Sequence, residues 1–386
     1  MNIFPYLRYS LICFLISTLM INNSIPVFRG IGYGFIILAL ILVFFTQMHS
    51  VKALRFESEF FYIVIPLIAV YLIGVFQNVT LTAIKEFVLL LLTLLLVYVV
   101  SRVPIFFGTY QNKVLKVFIP ILIIIFYVAY WVGYGINSID GGYTGVFSTT
   151  TFCGIFSAML LELCLLNYSF DKKKSWIMYS LLLMFIVYET KVRTGYIGAI
   201  LIVFIFVFIN KQENIIRIRK IFKICRIMTY FAIFVFIAIY PVLNSYSFFD
   251  DLSMVVFVYT GKILMSGRGE AWIYYMQYIF QNPVLGYGLD YMYSFPHAVN
   301  SVHNSYLNIL LQVGFLGLAF VFLFINKVFV EMEKTNIKWV FAIEGFSLIN
   351  LIMSTTEVML LQGQIVLQLI IWILMGAGLR LARKTD

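Results

Sequence analysis

Charge is scarce in this chain. Only 11% of its 386 residues are Asp, Glu, Lys or Arg, while 62% are apolar. Soluble globular domains carry about 25% charged and about 45–50% apolar residues. So few charges cannot cover the surface of a water-soluble protein of this size, and that class is excluded. Low-complexity tracts are missing, which together with the apolar content excludes disorder. Alternating apolar and polar residues are missing too, which argues against a transmembrane β-barrel. The four cysteines, Cys13, Cys153, Cys164 and Cys225, fall in or beside apolar runs and read as small apolar side chains. No Cys, His, Asp and Glu grouping has metal-ligand spacing, so no metal is expected. A P-loop, a dinucleotide glycine fingerprint and a Gly-x-Ser-x-Gly elbow are all missing, so neither nucleotide chemistry nor a cofactor is indicated. Residues 1–30 lack a clear small-residue cleavage site, so the first hydrophobic stretch is expected to stay as a helix.

What is present is a succession of long apolar runs, with a mean hydropathy of +0.99. That composition specifies an all-α, polytopic integral membrane protein. At about 20 residues per span the length allows roughly 10–14 helices. The runs predict twelve spans, over 9–27, 31–47, 60–78, 86–101, 114–134, 146–167, 176–190, 195–210, 227–243, 303–326, 339–356 and 363–379. They make one transmembrane domain of residues 1–386, with no internal repeat relating its halves.

The basic residues orient it. With both termini in the cytoplasm, 21 of the 27 Lys and Arg fall on the inner side. Only Arg29, Lys85, Lys191, Arg193, Lys262 and Arg268 are left outside. This asymmetry is what the positive-inside rule expects. It also accounts for the net charge of +10 as a topology signal facing anionic lipid rather than nucleic acid. The outer side then carries one large loop, residues 245–302, between spans nine and ten. Within it Leu252–Leu264 is apolar enough to lie on or in the membrane. Glu270–Gln281 predicts a helix with Trp272, Tyr275, Met276 and Ile279 on one face and Pro283 ending it. Gly286 and Gly288 mark a turn.

In so apolar a chain, an ionisable group at the outer boundary or inside a span is a functional candidate. Arg193 stands in Lys191-Val192-Arg193-Thr194-Gly195, between spans seven and eight, where the positive-inside rule disfavours a cation. It reads as an interfacial anchor or as an anion site. Arg268 precedes the predicted helix in Ser266-Gly267-Arg268-Gly269-Glu270-Ala271-Trp272. That sets a guanidinium beside the free N–H groups of a helix N-terminus, which suits a phosphate. His303 opens span ten in His303-Asn304-Ser305-Tyr306-Leu307, where it can hydrogen-bond a phosphate or a sugar hydroxyl, or simply cap the span. Glu270, Asp290, Asp140, Asp250 and Asp251 are outward carboxylates that no spacing singles out as a base. Glu162 and Glu344 lie within spans and are expected to pair inside the bundle, and His297 reads as a loop residue. The loop also concentrates Tyr246, Tyr259, Tyr274, Tyr275, Tyr278, Tyr287, Tyr291 and Tyr293, which suits a glycan groove or a loop lying on the bilayer equally.

At these residues the chain resembles a known family. His303-Asn304 followed by Gly314-Phe315-Leu316-Gly317 is similar to the histidine-asparagine and glycine pattern of the O-antigen polymerase (Wzy) and O-antigen ligase superfamily. Arg268, Trp272, Pro283, Gly286 and Gly288 follow that family's Arg, Trp, Pro, Gly-x-Gly run. Arg193-Thr194-Gly195 is similar to its short arginine motif before a span. The motifs cover residues 190–320; the first half resembles the family only as a string of spans.

The resemblance implies a GT-C-like glycosyltransferase in the bacterial inner membrane, with the loop and active site facing the periplasm. It would take a glycan from undecaprenyl pyrophosphate and work without a metal or a nucleotide. A polymerase transfers the growing chain onto another lipid-linked repeat unit; a ligase transfers it onto lipid A-core. Arg193 and Arg268 are then expected to clamp the pyrophosphate, and His303 completes the site. Trp272, Asn304 and Tyr306 are expected substrate contacts, and His303 or Glu270 would be the base. Donor and acceptor are lipid-linked oligosaccharides, the surroundings are membrane lipid, and the resemblance suggests a separate chain-length-determining co-polymerase. The Phe- and Ile-rich, Ala-poor composition favours the polymerase, with the ligase as the close alternative. A twelve-span transporter or flippase is the competing class, although it would be expected to show two similar halves and a site at the midplane. Peptidoglycan glycosyltransferases of the shape, elongation, division and sporulation type also use a lipid carrier, but no match to their outer-loop aspartate pattern is evident.

Overall fold

The structure is a computed structural model that describes residues 4–23, 25–48, 58–102, 109–137, 141–243, 246–260, 268–294 and 302–383. Asp140, Lys262, Ser266, Gly267 and His297, singled out above, lie outside the described residues. Fifteen helices make up the architecture among those described. The first nine are α1 (Phe4–Ile21), α2 (Pro26–Met48), α3 (Ser58–Gln77), α4 (Leu81–Arg102), α5 (Thr109–Trp131), α6 (Thr150–Asp171), α7 (Lys174–Glu189), α8 (Arg193–Lys211) and α9 (Ile215–Leu243). Three shorter helices follow, α10 (Ser247–Thr260), α11 (Gly269–Gln281) and α12 (Tyr291–Ser294). The chain ends with α13 (Ser305–Met332), α14 (Lys338–Met353) and α15 (Ile365–Arg383).

The expected spans lie over α1–α9 and α13–α15, the first of them reaching into α2. Eight of them, α3–α6, α8, α9, α13 and α15, are long and apolar enough to cross a membrane. α7 and α14 have 16 residues each. At 1.5 Å per residue they reach about 24 Å, short of a hydrocarbon core of about 30 Å. The first expected span ran too far: Asn22 and Asn23 end α1, and Pro26 begins α2, where its missing N–H costs nothing at a helix start. The sixth begins late, because Thr149 caps α6 by accepting from Phe152 N at 3.2 Å.

Burial sorts the helices into a centre and a perimeter. The apolar windows of α6 and α15 are 89% buried, those of α3 and α9 only 28%. The perimeter helices turn side chains such as Ile65, Ile124, Phe204 and Phe234 outward. Lipid solvates these as well as protein would, so they need no partner. The buried carboxylate of Glu162 on α6 accepts from Asn350 Nδ2 on α14 at 3.1 Å, an expected pairing inside the bundle.

One break in a helix shapes the rest. At Gly314 (φ 66°, ψ −169°) the backbone of α13 leaves the helical region. The break strips Leu311 and Gln312 of helical partners for their carbonyls, and Phe315 and Leu316 of acceptors for their N–H groups. The turn after α11 supplies both sets. Tyr287 N donates to Leu311 O at 2.7 Å and Gly288 N to Gln312 O at 3.0 Å. Phe315 N donates to Pro283 O at 2.7 Å and Leu316 N to Val284 O at 3.3 Å. A Cβ on Gly314 would collide with the carbonyl of Val284, so only glycine fits. The turn also reaches α3, through Leu289 N to Gly74 O at 3.1 Å, and Asn78 Nδ2 donates to Tyr287 O. The Pro283, Gly286, Gly288 and Gly314 motifs are thus one structural device that fixes α11 against the transmembrane helices.

Candidate active site

The helix α11 forms where the sequence predicted it, and its apolar face is turned inward: Trp272, Tyr275 and Ile279 are buried. Trp272 Nε1 donates to Val302 O at 2.6 Å, which ties the start of α11 to the chain entering α13. Arg268 is the residue just before α11 and makes no cap with its own side chain. Its guanidinium reaches across to the turn after α14 instead. Nη1 donates to Thr356 O at 2.6 Å, and Nη2 lies 3.9 Å from Glu357 Oε1.

Glu357 is the hub. Its side chain is 9% exposed. The Nδ1 atom of His303 lies 3.2 Å from its Oε1 and 3.1 Å from its Oε2. A carboxylate can only accept, so His303 Nδ1 is the donor of this pair. The His303 side chain is 41% exposed, so it remains accessible while it is bonded to Glu357. His303 also holds a left-handed backbone (φ 45°), a conformation non-glycine residues seldom adopt. The next residue, Asn304, anchors that geometry as the N-cap of α13, accepting from Tyr306 N at 2.9 Å and Leu307 N at 3.1 Å.

Ser305 braces the segment that carries Glu357. Its Oγ donates to Glu357 O at 2.8 Å and accepts from Met359 N at 2.9 Å. Trp372 Nε1 on α15 donates to Leu360 O at 2.5 Å, and Asn308 Nδ2 to Gln362 Oε1 at 2.7 Å. A buried acid on a braced turn is held at fixed distance from its neighbours.

Arg193 arrives from another direction, as the half-buried first residue of α8. Gly195 lets this end of α8 come close to α6: a Cβ there would sit 3.3 Å from the backbone of Gly154. Thr194 Oγ1 and Thr356 Oγ1 are 3.0 Å apart, so α8 touches the same turn that Arg268 grips. Arg193 and Arg268 are near enough to repel one another. Burial is the main force holding the Arg268 guanidinium below the ordinary arginine range, and Arg193 adds to it while Glu357 and Tyr240 oppose it. Arginine nevertheless stays protonated. A desolvated cation, repelled by a second cation and balanced by one carboxylate, is a site prepared for an additional anion.

The structure therefore brings Arg193, Arg268 and His303 to one place, from α8, α11 and α13. Glu270 is exposed in the first turn of α11, and the carboxylate that meets Arg268 and His303 is Glu357. Trp272, Asn304 and Tyr306 are buried beneath the cluster. Tyr306 Oη donates to Leu351 O at 2.8 Å, and its ring stacks on Phe322 with centroids 5.6 Å apart. Asp290 accepts from Thr80 Oγ1 at 2.7 Å and joins the turn to α4, while Asp250 and Asp251 are exposed. Tyr274, Tyr275, Tyr278, Tyr287 and Tyr291 pack largely on one another. Arg29, the remaining arginine expected outside, is exposed and donates to Asn23 O at 2.7 Å.

Glu357 was missed because it lies 54 residues after His303, beyond the stretch that carries the motifs. A signal was there: a carboxylate between two apolar runs, in Ser354-Thr355-Thr356-Glu357, at the expected outer boundary. No curated protein matches the chain. Residues 178–322, which hold Arg193, Arg268 and His303, match the family model described as O-antigen ligase, in the superfamily that the motifs of the same stretch resemble.

Proposed function

We propose that the chain is an O-antigen polymerase: a glycosyltransferase that transfers a growing oligosaccharide from undecaprenyl pyrophosphate onto another lipid-linked repeat unit at the periplasmic face. The observation that carries this reading is the meeting of Arg268 and His303 on Glu357, with Thr194, the neighbour of Arg193, touching the same turn; Arg193, Arg268 and His303 all lie in the segment matching the O-antigen ligase family. The leaving group in such a reaction is a pyrophosphate, whose bridging oxygen gains charge as the glycosidic bond breaks. The Arg268 guanidinium, already held by Thr356 O and Glu357, opposes that charge without having to reorganise, and Arg193 adds a second cation. The buried anion balance at Arg268 favours a further anion there, which the donor pyrophosphate supplies.

The acceptor sugar hydroxyl attacks the anomeric carbon from the face opposite the leaving group. The new C–O bond forms as the bond to the phosphate oxygen breaks, so the configuration inverts in one displacement. His303 Nε2 takes the proton of the attacking hydroxyl. Glu357 is a positioning residue: it fixes the tautomer through Nδ1–H and steadies the imidazolium that forms. Between the two bases open from the sequence, this geometry favours His303 over the exposed Glu270. Trp272, Asn304 and Tyr306 act beneath the site, holding α11 and α13 in place.

The ligase reading is supported by the match to the O-antigen ligase family, and it uses the same donor chemistry with a different acceptor. A lipopolysaccharide gel of the host lacking this gene separates the two. Collapse of the ladder to core plus one repeat unit supports the polymerase. Loss of every repeat unit from the core, with lipid-linked polymer accumulating, supports the ligase. An unchanged ladder contradicts both.

A further inference from the structure

A second charged feature lies at the opposite end of the bundle. A cavity of about 240 Å³ opens between α3, α4, α13 and α15. Its walls are apolar. Phe60, Val64 and Ile68 line it from one face of α3, and Leu91, Leu94 and Tyr98 from one face of α4. The two stripes run antiparallel, so Ile68 and Leu91 close one end, and Phe60 and Arg102 mark the other. Ser101 and Arg383 join Arg102 at that end. Arg383 Nη1 is 3.4 Å from Ser101 Oγ, and its guanidinium stands 5.9 Å over the ring of Phe60.

The dimensions are informative. Ile68 to Phe60 is eight residues and Leu91 to Arg102 is eleven. At 1.5 Å per residue the groove is about 12–16 Å deep. That is about half of a hydrocarbon core of about 30 Å, the depth of one leaflet. Arg102 lies in the last turn of α4 and Arg383 in the last turn of α15, so both cations stand at the same end of the groove. The floor of the groove is apolar, its depth is one leaflet, and its rim carries two guanidiniums whose planar forks suit phosphate oxygens.

We propose that this groove is a binding site for one anionic phospholipid, its phosphate held by Arg102 and Arg383 and one acyl chain lying between α3 and α4. It is separate from the cluster around Glu357, and it does not depend on the transferase reading. The lipid would fill the space that α3, α4, α13 and α15 leave between them.

The test uses the full chain, stripped of lipid in detergent and titrated with phosphatidylglycerol or with phosphatidylcholine of the same acyl length. Native mass spectrometry counts the lipids retained. The expected result is one tightly held phosphatidylglycerol per chain, preferred over phosphatidylcholine by about tenfold to thirtyfold. The double variant Arg102→Gln/Arg383→Gln should bring the ratio near one. Arg102→Lys/Arg383→Lys keeps both charges and should keep most of the preference. Leu94→Trp, which fills the groove, should lower retention of both lipids. Equal retention of the two lipids by the wild type would overturn the proposal. So would an undiminished preference in the glutamine variant, or unchanged retention in Leu94→Trp.

Discussion

Replacing Glu357 by Gln probes the catalytic arrangement at its least obvious point. The substitution keeps the shape of the side chain and removes its charge. In the native protein both carboxylate oxygens lie within 3.2 Å of His303 Nδ1. The glutamine amide can instead turn its NH₂ toward Nδ1, which shifts the ring hydrogen to Nε2. A ring with its hydrogen on Nε2 cannot take the proton of the acceptor hydroxyl. The contribution of a positioned base is about 10²–10⁴-fold, so kcat should fall within that range. Donor binding should move the other way. Glu357 competes with the pyrophosphate for Arg268, at 3.9 Å, and its neutralisation leaves both guanidiniums to the substrate. The expected signature is a large fall in kcat with an unchanged or lower KM for the lipid-linked donor. Transfer by purified protein in detergent, with the donor varied at saturating acceptor, measures both. A kcat within about threefold of wild type would refute the account of His303, because a base that loses its tautomer loses far more than that.

Other expectations concern the clamp and its scaffold. Arg193→Ala and Arg268→Ala should each lower kcat by about 10²–10³-fold, as removal of one fixed stabilising donor does, while protein levels in the membrane hold. Lysine at either position should not restore full activity if the contact is bidentate, and an assay of polymer formation checks both substitutions. Gly314→Ala places a Cβ against the Val284 carbonyl at a positive φ, and should destabilise by about 1–3 kcal/mol or more, read as a lower melting temperature in detergent. Asn304→Ala removes the cap of α13 and should cost about 1 kcal/mol by the same measurement.

The arginines were legible because cations at the outer boundary are rare in a chain this apolar. Position along the sequence was enough to single out Arg193 and Arg268, and the motif around His303 did the same for the histidine. Glu357 was not legible in that way. It belongs to a turn whose brace, Ser305, is 52 residues away, and only folding puts the two in contact. The glycines were visible as a pattern but their purpose was not. Gly314 matters through Val284, which lies on a different element and fills the gap left by the broken helix. Trp272 and Tyr306 illustrate the opposite limit. An aromatic residue beside a motif suits sugar stacking or packing equally. Both are buried, with their polar atoms bonded to the backbone of neighbouring segments. Helix positions followed the apolar runs closely, whereas helix ends depended on Asn22, Pro26 and Thr149, single residues that a hydropathy pattern does not weigh.

The account stands most directly on whether this chain makes glycosidic bonds at the Arg193–Arg268 cluster. Full-length protein purified in detergent, given the host's lipid-linked repeat unit alone, should produce longer lipid-linked glycans and release undecaprenyl pyrophosphate. The Arg268→Ala variant, equally folded by its melting curve, should produce neither above background. Wild-type protein that forms no glycosidic bond under these conditions, yet moves the intact lipid-linked unit across a liposome membrane, would contradict the account and make the chain a transporter.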